Sequence, residues 1–297
     1  MELYQLKSFV VVAEEGNLRR AADRLFASQP AVSGHIKALE EELGLVLFER
    51  SRNGMLLTTD GERIHDVALR MLADAREIEA TAHDLRDEVA GTIRIGVNND
   101  GRNLRLDDTT AVLAETHPEL HFEFESGSSG SILKGIRNED LDVGYIELQP
   151  AEGDVTLNQL TLNNPVIVYP AKWHDDLHAD SWEALISKPW AFVSKECSYC
   201  KLMHEAVAAR GLELDWQYRA DHESVTASLV NGGVAVSMLS RELAQPHVEA
   251  GRIEIWPHFN PTLPLSIACL TRRATEKTIL AYIKTVTELF SAEPSVR

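Results

Sequence analysis

Long apolar runs are missing from this 297-residue chain: no stretch approaches ~18 uninterrupted apolar residues, and the opening MELYQLKSFV has no basic segment leading into an apolar one. Neither a membrane span nor a secretory leader is expected, which suits a soluble cytoplasmic protein. Cysteine is scarce. Cys197, Cys200 and Cys269 are too few for a disulfide framework and fit a reducing compartment. The 17 Gly and 11 Pro exclude collagen-like and low-complexity chains, while 44% apolar residues suffice for a sizeable core. Basic residues are also few, 29 against 46 acidic ones, and a net charge of −17 should on average repel nucleic acid and anionic membranes. Walker, G-x-S-x-G, G-x-G-x-x-G and H-E-x-x-H signatures are absent. An enzyme is therefore not expected, and no cofactor or metal is implied.

What is present fits about two domains at ~150 residues each, and the placement of the basic residues matters more than their number. Leu6, Phe9, Val10 and Ala13 recur at helical spacing until Gly16-Asn17, where Asn17 can cap a second helix carrying Leu18, Ala21, Ala22 and Leu25. Ser28 is a good cap for a third helix, with Pro30 in its first turn and Val32, Ile36, Leu39 and Leu43 as one apolar stripe. At 100° per residue, Pro30, Ser33, Gly34 and Lys37 lie opposite that stripe, with Gln29 at its flank. This is a helix-turn-helix whose second helix offers small and hydrogen-bonding side chains to a groove. Gln29 suits an adenine edge, and Ser28 or Ser33 can reach bases or phosphates. From Asn17 to Lys37, Arg19, Arg20, Arg24 and Lys37 oppose Asp23 alone, a net of +3. Leu47 to Thr58 reads as a hairpin turning at Asn53-Gly54, a wing that places Arg50 and Arg52 at phosphate height. A three-helix packing module with solvated charges would show the same periodicity.

The wording of the segment separates the two. Leu18-Arg-Arg-Ala-Ala-Asp-Arg-Leu25, Ser28-Gln-Pro-Ala-Val-Ser33, Leu39-Glu-Glu-Glu-Leu-Gly44, Leu47-Phe-Glu-Arg50 and Leu57-Thr-Thr-Asp-Gly61 closely resemble, in order and spacing over about sixty residues, the N-terminal domain of the LysR-type transcriptional regulators. The resemblance implies a winged helix-turn-helix that inserts the helix starting near Ser28 into the major groove. Gln29, Pro30, Ser33 and Lys37 then face the groove, and Arg50 and Arg52 sit on the wing. Gly34 and His35 depart from the family, which more often has a larger polar or basic residue followed by Gln; this bears on base preference and not on the mode of binding.

Thr59 and Glu62 fit a capping box, and Ile64, Ala68, Met71, Ala75, Ile78, Ala82, Leu85 and Val89 then alternate by four and three. Such a seam either packs on its own domain or pairs with a second copy, and the solvated outer positions Glu62, Arg63, Asp74, Arg76, Glu77 and Asp87 favour the copy. Family resemblance implies the same, a homodimer through this linker that commonly assembles into a homotetramer and presents two recognition helices to a two-fold symmetric site.

From Gly91 the pattern becomes α/β, with mostly parallel strands expected. Strands are read at 92–97, 121–125, 142–146, 165–169, 190–194, 234–238 and 265–270, with helices between them and a final amphipathic helix from Ile279 to Phe290. The chain is read as leaving one lobe and returning to it, which resembles the periplasmic-binding-protein-like effector domain of the family. The expected organisation is a DNA-binding domain at 1–62, a linker dimerisation helix at 63–90 and a two-lobed effector domain at 91–297, with lobe I at about 91–162 and 266–297 and lobe II at about 163–265.

In open α/β lobes a ligand lies outside the carboxyl ends of the strands, where helix starts aim backbone N–H groups. Four such ends point to Asn98, Asn99 and Asp100; to Ser128 and Ser129; to Cys197, Ser198 and Tyr199; and to Glu223 and Ser224. The serines are also plain helix caps. A small anion is the favoured effector, although Asp100 and Glu223 could instead select an amine. Cys197-Ser-Tyr-Cys200 at a helix start suits a lowered thiol pKa and a redox switch, and His204 adds a third possible metal ligand, but no second C-x-x-C completes a structural site. Pocket or packing residues are the plainer reading of both cysteines. His174, Asp175, Asp176 and His178 are read as a solvated loop. The sequence thus describes a regulator that binds double-stranded DNA and a small effector, with RNA polymerase as a further partner and no membrane. The competing reading is a solute-binding module or an enzyme built on the α/β part.

Overall fold

A computed structural model describes residues 1–51, 54–85, 88–98, 103–147, 153–177, 179, 181–194, 197–220 and 222–292, without the side chains at 50, 51, 79, 80 and 83–85. The chain divides into two compact units, Met1–Arg86 and Asp87–Arg297.

In the first unit α1 (Leu3–Glu15) stops at Gly16, whose φ of 58° is the left-handed conformation that a glycine adopts at little cost. Asn17 Oδ1 accepts from the N–H groups of Arg19 (2.9 Å) and Arg20 (3.2 Å) and so starts α2 (Leu18–Arg24). Ser28 does the same for α3 (Gln29–Leu43), its hydroxyl accepting from Ala31 N–H at 3.3 Å. The stripes read from the sequence meet in one core, with Leu6, Phe9, Ala21, Val32, Ile36 and Leu39 all buried. Each such Val, Leu, Ile or Phe side chain contributes ~1.5–3 kcal/mol by leaving water. His35 turns inward, its Nδ1 sharing a hydrogen bond with Ser8 Oγ (2.8 Å) and its ring packed edge-on against Tyr4.

The hairpin pairs β1 (Phe48–Ser51) with β2 (Gly54–Leu57) in antiparallel register. Glu40 Oε1 accepts from the N–H of Leu47 at 2.7 Å, which ties the hairpin to α3. Next, α4 (Thr59–Leu85) runs for 27 residues. Its cap is Thr58 and not the expected Thr59: the Thr58 hydroxyl accepts from Gly61 N–H (2.9 Å) and donates to Val46 O (2.7 Å), so the residue that leaves the strand also opens the helix. The seam is divided as well. Ala68 is buried in the first unit's core with Ile64 against it, whereas Val89 lies beyond α4 and packs on the core of the second unit.

The second unit begins with β3 (Gly91–Val97), α5 (Leu106–Thr116), β4 (Leu120–Ser126), α6 (Ser129–Arg137), β5 (Val143–Ile146) and β6 (Val155–Asn163). The chain then passes into β7 (Val166–Pro170), α7 (His174–Leu177), α8 (Trp182–Ile186), β8 (Ala191–Phe192), α9 (Ser198–Ala208), β9 (Tyr218–Arg219), α10 (Glu223–Asn231), β10 (Ser237–Leu239), α11 (Arg241–Glu249) and β11 (Ile253–Ile255). It ends with β12 (Leu263–Leu270) and α12 (Lys277–Ser291). The first lobe is a sheet in the order β4-β3-β5-β12-β6, and the second is built on β10-β7-β11.

The first sheet is mixed and the second is antiparallel. Strand β3 is parallel to β4 and β5, but β12 runs antiparallel to both β5 and β6, and β7 is antiparallel to both of its neighbours. The expectation of mostly parallel strands fails because the returning strand enters the first sheet beside β5 in the opposite direction. Periodicity passed over α11, which carries Pro246 inside it, and β6, an edge strand whose residues are mostly half-buried.

Two side-chain sets hold the lobes. In the first, Arg273 Nη1 donates to Asp142 Oδ1 at 2.9 Å while Arg94 N–H donates to Asp142 Oδ2 at 2.8 Å, so one buried carboxylate links the start of β5 to β3 and to the turn after β12. The second lobe is aromatic, with Trp182, Trp190, Phe192 and Trp256 in one buried cluster.

Candidate DNA-reading surface and effector cavity

On α3 the buried stripe leaves Gln29, Pro30 and Lys37 exposed and Ser33 half-exposed, with Ser28 exposed at the start of the helix. Arg19 and Arg20 are exposed at the start of α2. They do not act alike. Arg20 is taken up by Glu15, through the backbone carbonyl and by a 3.1 Å ion pair with the carboxylate, and Arg24 lies 2.7 Å from Glu14 and 3.4 Å from Glu15. The +3 counted from Asn17 omits these two acids of α1, and including them leaves +1. Lys37 has an exposed partner, Glu41, at 3.4 Å, a contact that solvent weakens. Arg19 has no carboxylate partner among the described residues. On the wing, Arg52 and the Arg50 side chain lie outside the described residues. The wing itself is fixed by a close approach: Met55 N–H donates to Gly16 O at 2.8 Å, and a Cβ on Gly54, whose φ is 128°, would stand 2.1 Å from that same oxygen.

In the second unit a cavity of about 300 Å³ opens between the two lobes. From the first lobe come Asn98 after β3, Ser128 and Ser129 at the start of α6, and Glu147 after β5. The second lobe supplies Cys197, Ser198 and Tyr199 at the start of α9, and Glu223 and Ser224 at the start of α10. Four separate segments singled out in the sequence thus face one space, while Asn99 and Asp100 lie outside the described residues. Glu147, Phe192 and Met238 were missed. Applying the strand-end rule to β5 as well would have found Glu147.

Glu147 is only 4% exposed and organises the wall. Its Oε1 accepts from Asn163 Nδ2 (2.5 Å) and from the Tyr199 hydroxyl (3.3 Å), and its Oε2 accepts from Asn98 Nδ2 at 3.2 Å. The Tyr199 bond crosses from the second lobe to the first. Ser129 completes the set, its Oγ accepting from Glu147 N–H at 3.0 Å. Burial pushes the Glu147 carboxyl above its ordinary range, more strongly than the Asn163 and Tyr199 bonds lower it. Glu223 is held at one oxygen by Ser240 N–H; enclosure by protein, with the Glu147 charge adding to it, pushes it up to about 7. Among the described residues of the wall there is no Lys or Arg. This runs against the small anion expected from the helix starts, because two carboxylates occupy the same space.

The thiols follow the plainer reading of pocket and packing residues and not that of a lowered thiol pKa. Burial pushes Cys197 above the usual thiol range and the charges of Glu223 and Glu147 add to it, while the N–H groups of Cys200 and Tyr199 pull back more weakly. Cys200 is buried in the aromatic cluster, and His204 is exposed. No group of three His, Cys, Asp or Glu among the described residues could hold a metal ion. His174 is engaged by Glu254 at 2.7 Å, and His178 lies outside the described residues. No helix among them is long and apolar enough to cross a membrane.

Comparison with known proteins follows the same division of the chain. Over 150 residues it is 31% identical to the HTH-type transcriptional regulator YkuM of Bacillus subtilis, an alignment covering 50% of this chain and 51% of that one. Over 257 residues it is 27% identical to the HTH-type transcriptional regulator YusT of the same organism, covering 86% of this chain and 85% of the relative. The crystal structure of full-length CbnR with its target DNA shares the fold, with a TM-score of 0.61 and 19% identity over 97% of this chain and 99% of that one. Residues 3–62 match the bacterial regulatory helix-turn-helix proteins of the lysR family, and residues 86–290 match the LysR substrate binding domain. The chain therefore belongs to the LysR family: it is a DNA-binding transcriptional regulator in which a helix-turn-helix is followed by an effector-binding domain.

Proposed function

We propose that this regulator responds to a small effector held in the cavity between the lobes of residues 91–297, and that two copies joined through the 63–90 segment present their 1–62 domains to a two-fold symmetric DNA site. Gln29, Pro30, Ser33 and Lys37 enter the major groove from α3, Ser28, Arg19 and Arg20 lie at the backbone, and Arg50 and Arg52 serve the wing. The observation that carries the effector reading is the convergence of three strand ends of the first lobe and two helix starts of the second on one cavity. A ligand touching both walls binds the closed arrangement of the lobes more tightly than an open one, and that difference is what it can transmit. Support for pairing comes from α4, where Met71 and Ile78 on the seam are exposed, Ile78 at 72%.

A thiol switch is the weaker reading. Cys200 is buried, and Cys197, raised by burial and by two carboxylates, is better described as a wall residue. Cys200→Ser should leave an oxidant-treated protein with the same DNA footprint as the untreated one.

Selection of duplexes from a random pool by the full chain at ~50 mM salt should return a pseudo-palindrome. A pool that comes back unenriched overturns the DNA reading. Ser224→Trp, at an exposed position on the cavity rim, should abolish effector-dependent change in the footprint, with the effector-free footprint as the folding control. An unchanged response removes the cavity from the mechanism.

A further inference from the structure

We infer that the effector taken by this cavity carries a protonated nitrogen, an ammonium or a guanidinium, and that Glu147 and Glu223 are its anionic partners. The inference rests on the reading of the cavity as the effector site and adds the chemical class.

The wall has a surplus of acceptors. Glu223 Oε1 takes the Ser240 N–H, and the Ser240 hydroxyl also stands against this carboxyl. At Asn98 the amide is oriented by its neighbours: Nδ2 donates to Glu147 Oε2 and reaches Ser129 Oγ at 3.3 Å, which leaves Oδ1 turned away, buried and without a donor. The Ser198 hydroxyl is a second, independent sign of an absent partner. Its residue is 7% exposed, lines the cavity, and has no hydrogen-bond partner for Oγ. Buried polar atoms are nearly always satisfied, so unpartnered ones along a cavity mark where a ligand atom belongs.

Charge then selects among ligands. Two carboxylates enclosed together, with no Lys or Arg among the described residues of the wall, are stable in their ionised forms only beside a countercharge. A carboxylate ligand would bring a third negative charge to the same space, and a polyol would bring none. The start of α10, where His222 does not cap the helix with its side chain, provides N–H donors for a hydroxyl or carboxyl at the other end of the molecule, whereas at α9 the Cys197 sulfur already takes the N–H groups of Tyr199 and Cys200. An amine bearing such a group satisfies both ends. At about 300 Å³ the cavity stands at the small end of ligand pockets, which run to ~1,000 Å³, and suits a compact amine.

Proton competition gives the inference a signature. Glu223 faces Glu147 across the cavity, Tyr199 and Cys197 on α9, His222 beside it and Glu242 at the start of α11. An ammonium must find Glu223 ionised, and with its pKa at about 7 that fraction rises about tenfold between pH 6 and pH 8.

The test uses the full chain and four probes: n-butylamine, 1,4-diaminobutane, succinate and 1,4-butanediol. Melting is followed by tryptophan fluorescence. The amines should raise the melting temperature while succinate and butanediol do not, and the amine affinity should be about tenfold weaker at pH 6 than at pH 8. Glu147→Gln and Glu223→Gln should each weaken it at least tenfold, and Ser224→Trp should remove it. Stabilisation by succinate that Ser224→Trp abolishes overturns the cationic class and leaves the cavity as the effector site. Silence of both amines at 50 mM, or an amine effect that survives the glutamine variants, also overturns it. Failure of the underlying reading shows separately, as an effector-dependent footprint that Ser224→Trp leaves unchanged.

Discussion

Glu223 should make the second unit less stable as pH rises, and Glu223→Gln should reverse this. In the unfolded chain this carboxyl titrates near 4.5, and in the folded protein enclosure holds its proton until about pH 7. Between those values the folded state binds more protons than the unfolded one, so stability falls with rising pH and the loss is complete above pH 7. Converting the change from 4.5 to about 7 at ~1.36 kcal/mol per pH unit gives roughly 3 kcal/mol, an upper bound because the side chain keeps contact with the cavity. Glutamine retains an oxygen for the Ser240 N–H and removes the charge. The variant should therefore equal the wild type near pH 4.5, where both side chains are neutral in the folded protein. By pH 8 it should be more stable. At ~2–4 °C per kcal/mol for a unit of this size, the gain reaches ~6–12 °C. All five tryptophans, at 173, 182, 190, 216 and 256, lie between β7 and β12, so their fluorescence reports melting of the lobe that carries Glu223. Equal melting temperatures at pH 8, or an offset that does not shrink toward pH 5, would refute the reasoning.

Three further outcomes are expected. Gly54→Ala should detach the wing, since its Cβ would stand 2.1 Å from Gly16 O in a backbone conformation with φ of 128°; a loss of at least ~2 kcal/mol and weaker DNA binding should follow, read by melting and titration of the first unit within the full chain. Gln29→Ala should cost ~1–3 kcal/mol at one base pair per half-site, whereas Arg19→Ala, at the backbone, should weaken all sequences alike and reduce the salt slope by about 1, both seen in salt-dependent binding curves. Ile78→Glu on α4 should shift the protein toward monomer in sedimentation experiments, and an unaltered assembly would remove the seam from the interface.

The parts of the fold that could be read from sequence are those where one local rule decides the outcome. Caps at Asn17 and Ser28 and the stripe of Val32, Ile36 and Leu39 are set within a few residues, and the structure has them as read. The cap at Thr58 was displaced by one position because Thr58 and Thr59 are adjacent and equally able, and only the placement of Thr58 against Val46 O distinguishes them. Strand direction was not legible, since β12 resembles a parallel strand in composition and is antiparallel through where the chain returns from. His35 shows the same limit at a single residue. It was read as a departure bearing on base preference, yet its ring is spent on Tyr4 and Ser8 of α1.

Charge failed in a consistent way, and the failure shows what the net −17 means. Counting along the chain gave the recognition segment +3, yet Glu14 and Glu15, just before the counted window, hold Arg20 and Arg24. The helix starts at the strand ends favoured an anionic effector, a reading made without Glu147, which is far in sequence from Glu223 and shares its cavity. In both places what reading along the chain leaves out is spatial pairing. At ~0.15 M salt, exposed charges act over ~8 Å, so what a phosphate at α3 meets is the charge within that reach and not the net charge of the chain. On the proposed binding mode, DNA affinity rests on a handful of side chains, and a regulator with so few is expected to depend on two copies binding together. Two acids of the second unit, Glu147 and Glu223, are enclosed in one cavity, and it is their charge that the proposed cationic effector would answer.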